Sequence, residues 1–170
     1  ILFSYANTFK TPFNFDDHTV LQHISLYAPG KVYGYSLYKI PPIEYRHLFF
    51  LSFDINHSLG GLNPFGYHLV NISFHFFTSL TLFLIIYLTL ENGTNQNGRN
   101  ALSIAGLTSI LFAINPISTE TVTYLSGRTS GMAWFFYLLT ILFFILGSLK
   151  KVSGIVLQIA FYTFSLTAFI

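Results

Sequence analysis

The 170-residue sequence contains no cysteine, and only 8% of its residues are charged. The lack of cysteine excludes disulfides and thiolate metal sites. Soluble domains carry about 25% charged residues, so this composition cannot build a water-facing surface. Hydrophobic residues make up 52% of the chain, and its formal net charge of +2 is too small to indicate nucleic-acid binding. The composition therefore predicts an integral membrane protein in contact with lipids.

Long stretches without acidic or basic residues predict the membrane spans. A helix needs roughly 20 apolar residues to cross the hydrocarbon core, and within lipid the backbone must satisfy its own hydrogen bonds. We therefore predict an all-α, polytopic transmembrane helical bundle. The spans are expected at about 64–90, 100–115, 131–149 and 153–170, after the end of an earlier span at 1–9. The apolar first and last residues, without an initiator methionine, lead us to expect a fragment of a longer protein.

Two polar stretches separate these spans. Residues 10–63 are expected to form a long loop, in which 43–61 mix apolar and charged residues as a helix in the membrane interface does. Residues 116–128 are expected to form a short helix that ends near Gly127. At the start of span 64–90, Asn63 is expected to cap the helix and Pro64 to occupy its first turn.

The distribution of basic residues predicts the orientation. Arg99 and the Lys150-Lys151 pair fall in short loops on one side, which the positive-inside rule assigns to the cytoplasm. Residues 10–63 and 116–130 are then expected on the outer, periplasmic or lumenal side. All acidic residues except Glu91 fall on that side, so the ionisable chemistry is concentrated there.

The pair Asp16-Asp17 is the first candidate for chemistry. Mutual repulsion and partial desolvation suit an adjacent carboxylate to take a proton from a hydroxyl. The alternative is a solvated pair in a loop, where it caps a following helix. Spacing alone does not decide between the two.

Basic and acidic residues elsewhere in the polar stretches are further candidates. Arg46 and Arg128 could each hold a phosphate, although Arg46 could equally reach lipid headgroups as an ordinary interfacial residue. Glu120 and Arg128 are eight residues apart, about two helical turns, so we expect them to share one face of a helix. They would then line a polar cavity or form a surface ion pair on a connecting turn.

His68, Asn71 and His75 lie at helical spacing on the span 64–90 and form one polar stripe. Polar groups within a span face the bundle interior or a cavity, so we expect His68 and Asn71 to line one. The alternative, favoured for Asn71, is hydrogen bonding between helices. A metal site is weakly indicated, because no carboxylate lies between the two histidines. Asn56-His57-Ser58 also matches the acceptor pattern for N-glycosylation.

The order of these motifs resembles a known family. The segments FNFDDHTVLQHI, YRHLFFLSFDINHSLGGLNPFGYHLVNISFH and LFAINPISTETVTYLSGRTSGMAWFFYLL follow one another. In this order they resemble the N-terminal membrane part of protein O-mannosyltransferase-like proteins with C-terminal tetratricopeptide repeats. These proteins look like GT-C glycosyltransferases, and the resemblance covers nearly the whole chain.

The resemblance implies transfer of a sugar, mannose by family default, from a polyprenyl-phosphate donor to a hydroxyl acceptor on a protein. It implies that Asp16 or Asp17 is the general base, and that Arg46 and Arg128 stabilise the departing lipid phosphate. No cofactor is required, although a divalent cation bridging the aspartates is conceivable. The expected location is a bacterial inner membrane or the endoplasmic reticulum. The alternatives are a transporter of lipid-linked sugars and a non-catalytic scaffold.

Overall fold

A computed structural model describes residues 1, 4–13, 17, 47–93 and 98–149 of the chain. These residues form helices and turns, and no strand occurs among them. The predicted all-α fold class is thereby confirmed. The helices are a 3-10 helix Ala6–Lys10, α1 (His47–Gly60), α2 (Pro64–Gly93), α3 (Gly98–Ala113), a 3-10 helix Pro116–Ser118, α4 (Thr119–Thr123) and α5 (Arg128–Ser148). Asp16, Arg46 and the predicted span 153–170 lie outside the described residues.

Within the part of the chain that the structure describes, two helices, α2 and α5, are each long and apolar enough to cross a membrane. The 30 residues of α2 extend over about 45 Å, which exceeds the hydrocarbon core of about 30 Å. The 16 residues of α3 extend over only about 24 Å. A bend of 48° joins α3 to the segment Pro116–Thr123, and together they form a third candidate span.

The turn between α1 and α2 follows the local sequence signals. Gly61 takes a left-handed backbone conformation with φ of 59°, and its N–H donates to the carbonyl of His57 at 2.8 Å, as helix C-caps do. The side chain of Asn63 accepts a hydrogen bond from the N–H of Phe65 at 3.1 Å. The predicted cap by Asn63, with Pro64 as the first residue of α2, is confirmed.

The chain divides into two compact units. The first contains Ile1–Ser73 and Ile117–Met132, and the second contains Phe74–Pro116 and Ala133–Ile170. In the first unit, a core of Tyr5, Ile72 and Val122 is flanked by Ile1 and Phe9. In the second unit, α3 buries a stripe of small residues: Ala101, Ala105, Ser109 and Ala113. Of the residues that the sequence singles out for chemistry and that the structure describes, His75 lies in the second unit and the others lie in the first.

Candidate functional site

Arg128 is the first residue of α5 and has the largest fully buried side chain, with 1% of its surface exposed. Its Nε donates to Asn71 Oδ1 at 2.7 Å. Its Nη1 donates to Ser52 Oγ at 3.0 Å and to Asn56 Oδ1 at 2.9 Å. Its Nη2 donates to the carbonyl oxygen of Tyr67 at 2.9 Å. The guanidinium therefore connects α5 to α1 and α2.

An aromatic ring covers the face of this guanidinium. The Cζ of Arg128 lies 4.0 Å from the centroid of the Phe53 ring, a distance at which a desolvated cation–π contact contributes about 2 kcal/mol. The Phe53 ring packs in turn against Phe49 and Tyr67, with centroid distances of 4.7 and 5.6 Å. We call the set Ser52, Phe53, Asn56, Tyr67, Asn71 and Arg128 the Arg128 cluster.

The four hydrogen bonds of the buried Arg128 all end on neutral oxygens. Burying a charge costs free energy unless hydrogen bonds replace its hydration, and here the acceptors of those hydrogen bonds lie on two helices, α1 and α2. Four of the five guanidinium N–H groups are thus bonded to protein. The predicted binding of a lipid phosphate by Arg128 stays a prediction.

Asn71 links the Arg128 cluster to the segment after α4. Its Nδ2 donates to the carbonyl oxygens of Val122 at 3.3 Å and Tyr124 at 3.0 Å, while its Oδ1 accepts from Arg128. This is the hydrogen bonding between helices that the sequence favoured for Asn71. The lining of a cavity by Asn71 stays a prediction.

Asp17 is buried in the same unit, with 1% of its surface exposed. Its Oδ1 accepts hydrogen bonds from the backbone N–H groups of Leu125 at 2.9 Å and Ser126 at 3.1 Å. The alternative of a solvated loop carboxylate is therefore wrong for Asp17. The carboxylate ties the start of the chain to the segment 124–127 between α4 and α5, which we call the α4–α5 loop.

Gly127 allows the α4–α5 loop to fold tightly against α4. A Cβ at this position would lie 2.6 Å from the carbonyl oxygen of Glu120 and 3.0 Å from the Cα of Thr121. These are backbone atoms, so no side-chain rotation could relieve the overlap. Glycine is needed here for close approach between two backbone segments, rather than to end a helix, because α4 already ends at Thr123.

The expectation that Glu120 and Arg128 share one helical face is wrong. Glu120 lies in α4, Arg128 begins α5, and the α4–α5 loop interrupts the helix between them. Glu120 is exposed to the surroundings whereas Arg128 is buried. Their spacing would have aligned them only in a continuous helix. A cavity-lining role for Glu120 stays a prediction.

The histidines of the predicted polar stripe are both buried. In the first unit, His68 has no exposed surface, and its Nε2 lies 3.0 Å from the carbonyl oxygen of Thr11. Among the residues that the structure describes, its Nδ1 has no hydrogen-bond partner. In the second unit, the Nε2 of His75 lies 3.1 Å from the carbonyl oxygen of Ala113. Within the described ranges, no group of three or more His, Cys, Asp or Glu is placed to hold a metal ion.

Sequence reasoning missed four members of the Arg128 cluster, although a signal exists for three of them: Ser52, Asn56 and Tyr67. Ser52 and Asn56 are four residues apart on α1, and Tyr67 and Asn71 are four residues apart on α2. Residues at this spacing lie on one face of a helix. The position of Asn56 also answers whether the glycosylation pattern can be modified. Asn56 is buried, and its Nδ2 donates to the carbonyl oxygen of Gly66 at 3.2 Å. In this arrangement the amide is not accessible for modification.

Comparison with known proteins identifies several relatives that are protein O-mannosyl-transferases. Human protein O-mannosyl-transferase TMTC2 is 32% identical over 158 residues, which cover 83% of this chain and 17% of that protein. Human protein O-mannosyl-transferase TMTC1 is 36% identical over 99 residues, 58% of this chain and 10% of that protein. The Drosophila melanogaster protein O-mannosyl-transferase Tmtc3 is 37% identical over 97 residues, 50% of this chain and 10% of that protein.

The chain thus spans only 17% of the length of TMTC2 and 10% of the length of the other two relatives. No family model matches it, and no solved structure matches it. The resemblance that the order of motifs indicated is nevertheless confirmed by these relatives. This chain is a homologue of one segment of the TMTC protein O-mannosyl-transferases.

Proposed function

We propose that this chain is part of a membrane glycosyltransferase that transfers a sugar, mannose by family default, to a hydroxyl group of a protein. The observation that carries the proposal is the similarity, over 83% of the chain, to a protein O-mannosyl-transferase. We further propose a polyprenyl-phosphate sugar as the donor. A donor of this kind fits a chain whose helices are apolar enough to lie within a bilayer.

In the proposed reaction, one carboxylate of the pair Asp16-Asp17 takes the proton of the acceptor hydroxyl. The oxygen then attacks the anomeric carbon, the bond from that carbon to the phosphate oxygen breaks, and the configuration inverts. The lipid phosphate leaves as an anion, and Arg46 or Arg128 stabilises its charge. General-base catalysis of this kind contributes about 10²- to 10⁴-fold to a rate.

The remaining polar residues have supporting roles in this proposal. Glu120, His68 and Asn71 line the polar region in which donor and acceptor meet, and holding the two in line contributes much of the rate. The pair Asp16-Asp17 faces the periplasm of a bacterium or the lumen of the endoplasmic reticulum, where the acceptor protein arrives. The burial of His68 and Asn71, together with the hydrogen bond from Asn71 to the carbonyl oxygen of Tyr124 in the α4–α5 loop, supports a polar site at this end of α2.

The proposal is tested with the full-length protein in liposomes, a radiolabelled mannosyl polyprenyl phosphate and an acceptor protein. We expect label to appear on the acceptor, and we expect the double variant Asp16→Asn/Asp17→Asn to lose at least about 100-fold in rate. Transfer that persists in the double variant would overturn the general-base assignment. Passage of the labelled lipid across the membrane without transfer would instead identify a transporter.

A further inference from the structure

We infer that Asp17 is a positioning residue and is not itself the proton acceptor. It anchors the Asp16-Asp17 pair, which we call the catalytic segment, to the α4–α5 loop. The inference rests on the proposed function, because it assigns separate roles to the two members of the Asp16-Asp17 pair. Its basis is that one oxygen of a buried carboxylate holds the N–H groups of two consecutive residues, Leu125 and Ser126.

The α4–α5 loop to which Asp17 is tied is itself held by several contacts. The carbonyl oxygen of Tyr124 accepts a hydrogen bond from Asn71, and the side chain of Leu125 is fully buried. Gly127 lies against the backbone of α4, and Arg128 is bonded to α1 and α2. Because neighbouring groups hold the loop along its length, its two N–H donors form a fixed anchor rather than a mobile one.

The geometry of Asp17 suits an anchor better than a general base. A base must come within about 2.6–3.2 Å of the proton it removes, directly or through one water. Asp17 has only 1% of its surface exposed, and its Oδ1 is already within hydrogen-bond distance of two donors. An acceptor hydroxyl cannot reach that oxygen without displacing the loop.

Anchoring Asp17 restricts where its neighbour in the chain can lie. Consecutive Cα atoms are about 3.8 Å apart across a trans peptide bond, so an immobilised Asp17 confines Asp16 to its immediate surroundings. A carboxylate that must meet both donor and acceptor gains from such preorganisation. The tie from Asp17 to the α4–α5 loop therefore couples the catalytic segment to the Arg128 cluster.

Two substitutions distinguish an anchoring role of Asp17 from a role as the general base. Asp17→Asn keeps an oxygen that can accept both N–H groups but removes the basic carboxylate. Asp17→Ala removes the anchor as well. For the full-length protein we expect Asp17→Asn to retain at least about one tenth of the transfer rate and the acidic limb of the pH–rate profile. Asp17→Ala and Asp16→Asn should each lose at least about 100-fold, as expected for loss of a general base or of its placement.

A loss of 100-fold or more in Asp17→Asn, together with loss of the acidic limb of the pH–rate profile, would overturn the inference. The anchor is also measured without activity, by thermal unfolding of the detergent-solubilised protein. Asp17→Ala should unfold at a lower temperature than Asp17→Asn, and equal unfolding temperatures for the two variants would contradict the anchor. If the wild-type protein shows no transfer, the proposed function fails, while the comparison of unfolding temperatures still decides whether Asp17 anchors the α4–α5 loop.

Discussion

Arg128 is the residue whose structural role is best defined by its contacts. Its partners lie on two other helices, and their neutral oxygens and one aromatic ring replace the hydration of the guanidinium. The sequence indicated that Arg128 is important but suggested a phosphate as its partner. The sequence reveals the charge of an arginine but not whether its side chain is buried. Burial depends on contacts between distant segments, which spacing along one segment does not reveal.

The substitution Arg128→Lys tests this role. Lysine keeps the charge but has a single nitrogen, which cannot reproduce the planar fork that reaches acceptors on α1 and α2. Because each buried acceptor left unpaired costs about 1–3 kcal/mol, we expect the free energy of unfolding to fall by about 3 kcal/mol or more. The measurement is thermal or denaturant unfolding in detergent.

The matched control for this prediction is Arg99→Lys. Arg99 is exposed near the start of α3, and a surface change of this kind shifts stability by less than about 0.5 kcal/mol. An Arg128→Lys protein as stable as the wild type, but with weaker binding of the lipid phosphate, would favour the phosphate-binding role over the structural one.

The helix elements differ in how far local sequence specifies them. The turn from α1 to α2 was predictable, since Gly61, Asn63 and Pro64 act within a few residues of one another. The break between α4 and α5 was not predictable from local sequence. After Pro116, no residue of segment 116–128 before Gly127 prevents a continuous helix. The loop forms because Asp17 and Asn71, distant in sequence, supply the hydrogen bonds that a helix would otherwise supply.

Gly127→Ala tests the close approach between the α4–α5 loop and α4. The added methyl group would lie 2.6 Å from the carbonyl oxygen of Glu120, and overpacking of this kind costs about 1–3 kcal/mol. We expect a corresponding decrease in the free energy of unfolding, measured in detergent. Gly106→Ala is the control, since a Cβ there meets nothing within 4 Å and alanine favours a helix interior by about 1 kcal/mol.

Across the whole molecule, the composition predicted membrane helices correctly because the free energy of placing apolar residues in lipid depends little on tertiary contacts. The starts and ends of spans were less predictable. The span expected at 100–115 corresponds to α3, which ends at Ala113 and is a candidate span only together with the bent segment Pro116–Thr123 that follows it. Whether a helix of about 24 Å crosses the bilayer depends on how the bent segment continues it, which composition does not specify.

Labelling of single cysteines tests the arrangement of spans, and it is straightforward in a chain without native cysteine. Ser36→Cys precedes α2 and Asn95→Cys follows it. Ser130→Cys follows α3 and the bent segment Pro116–Thr123, which together we call the bent pair. Because α2 is long enough to cross the bilayer alone, we expect a membrane-impermeant maleimide to label 36 and 95 from opposite sides.

If the bent pair also crosses, 130 labels from the same side as 36, as the predicted outer location of 10–63 and 116–130 requires. Labelling of 95 and 130 from one side would show that the bent pair re-enters the membrane without crossing it. Labelling of 36 and 95 from one side would contradict the crossing by α2.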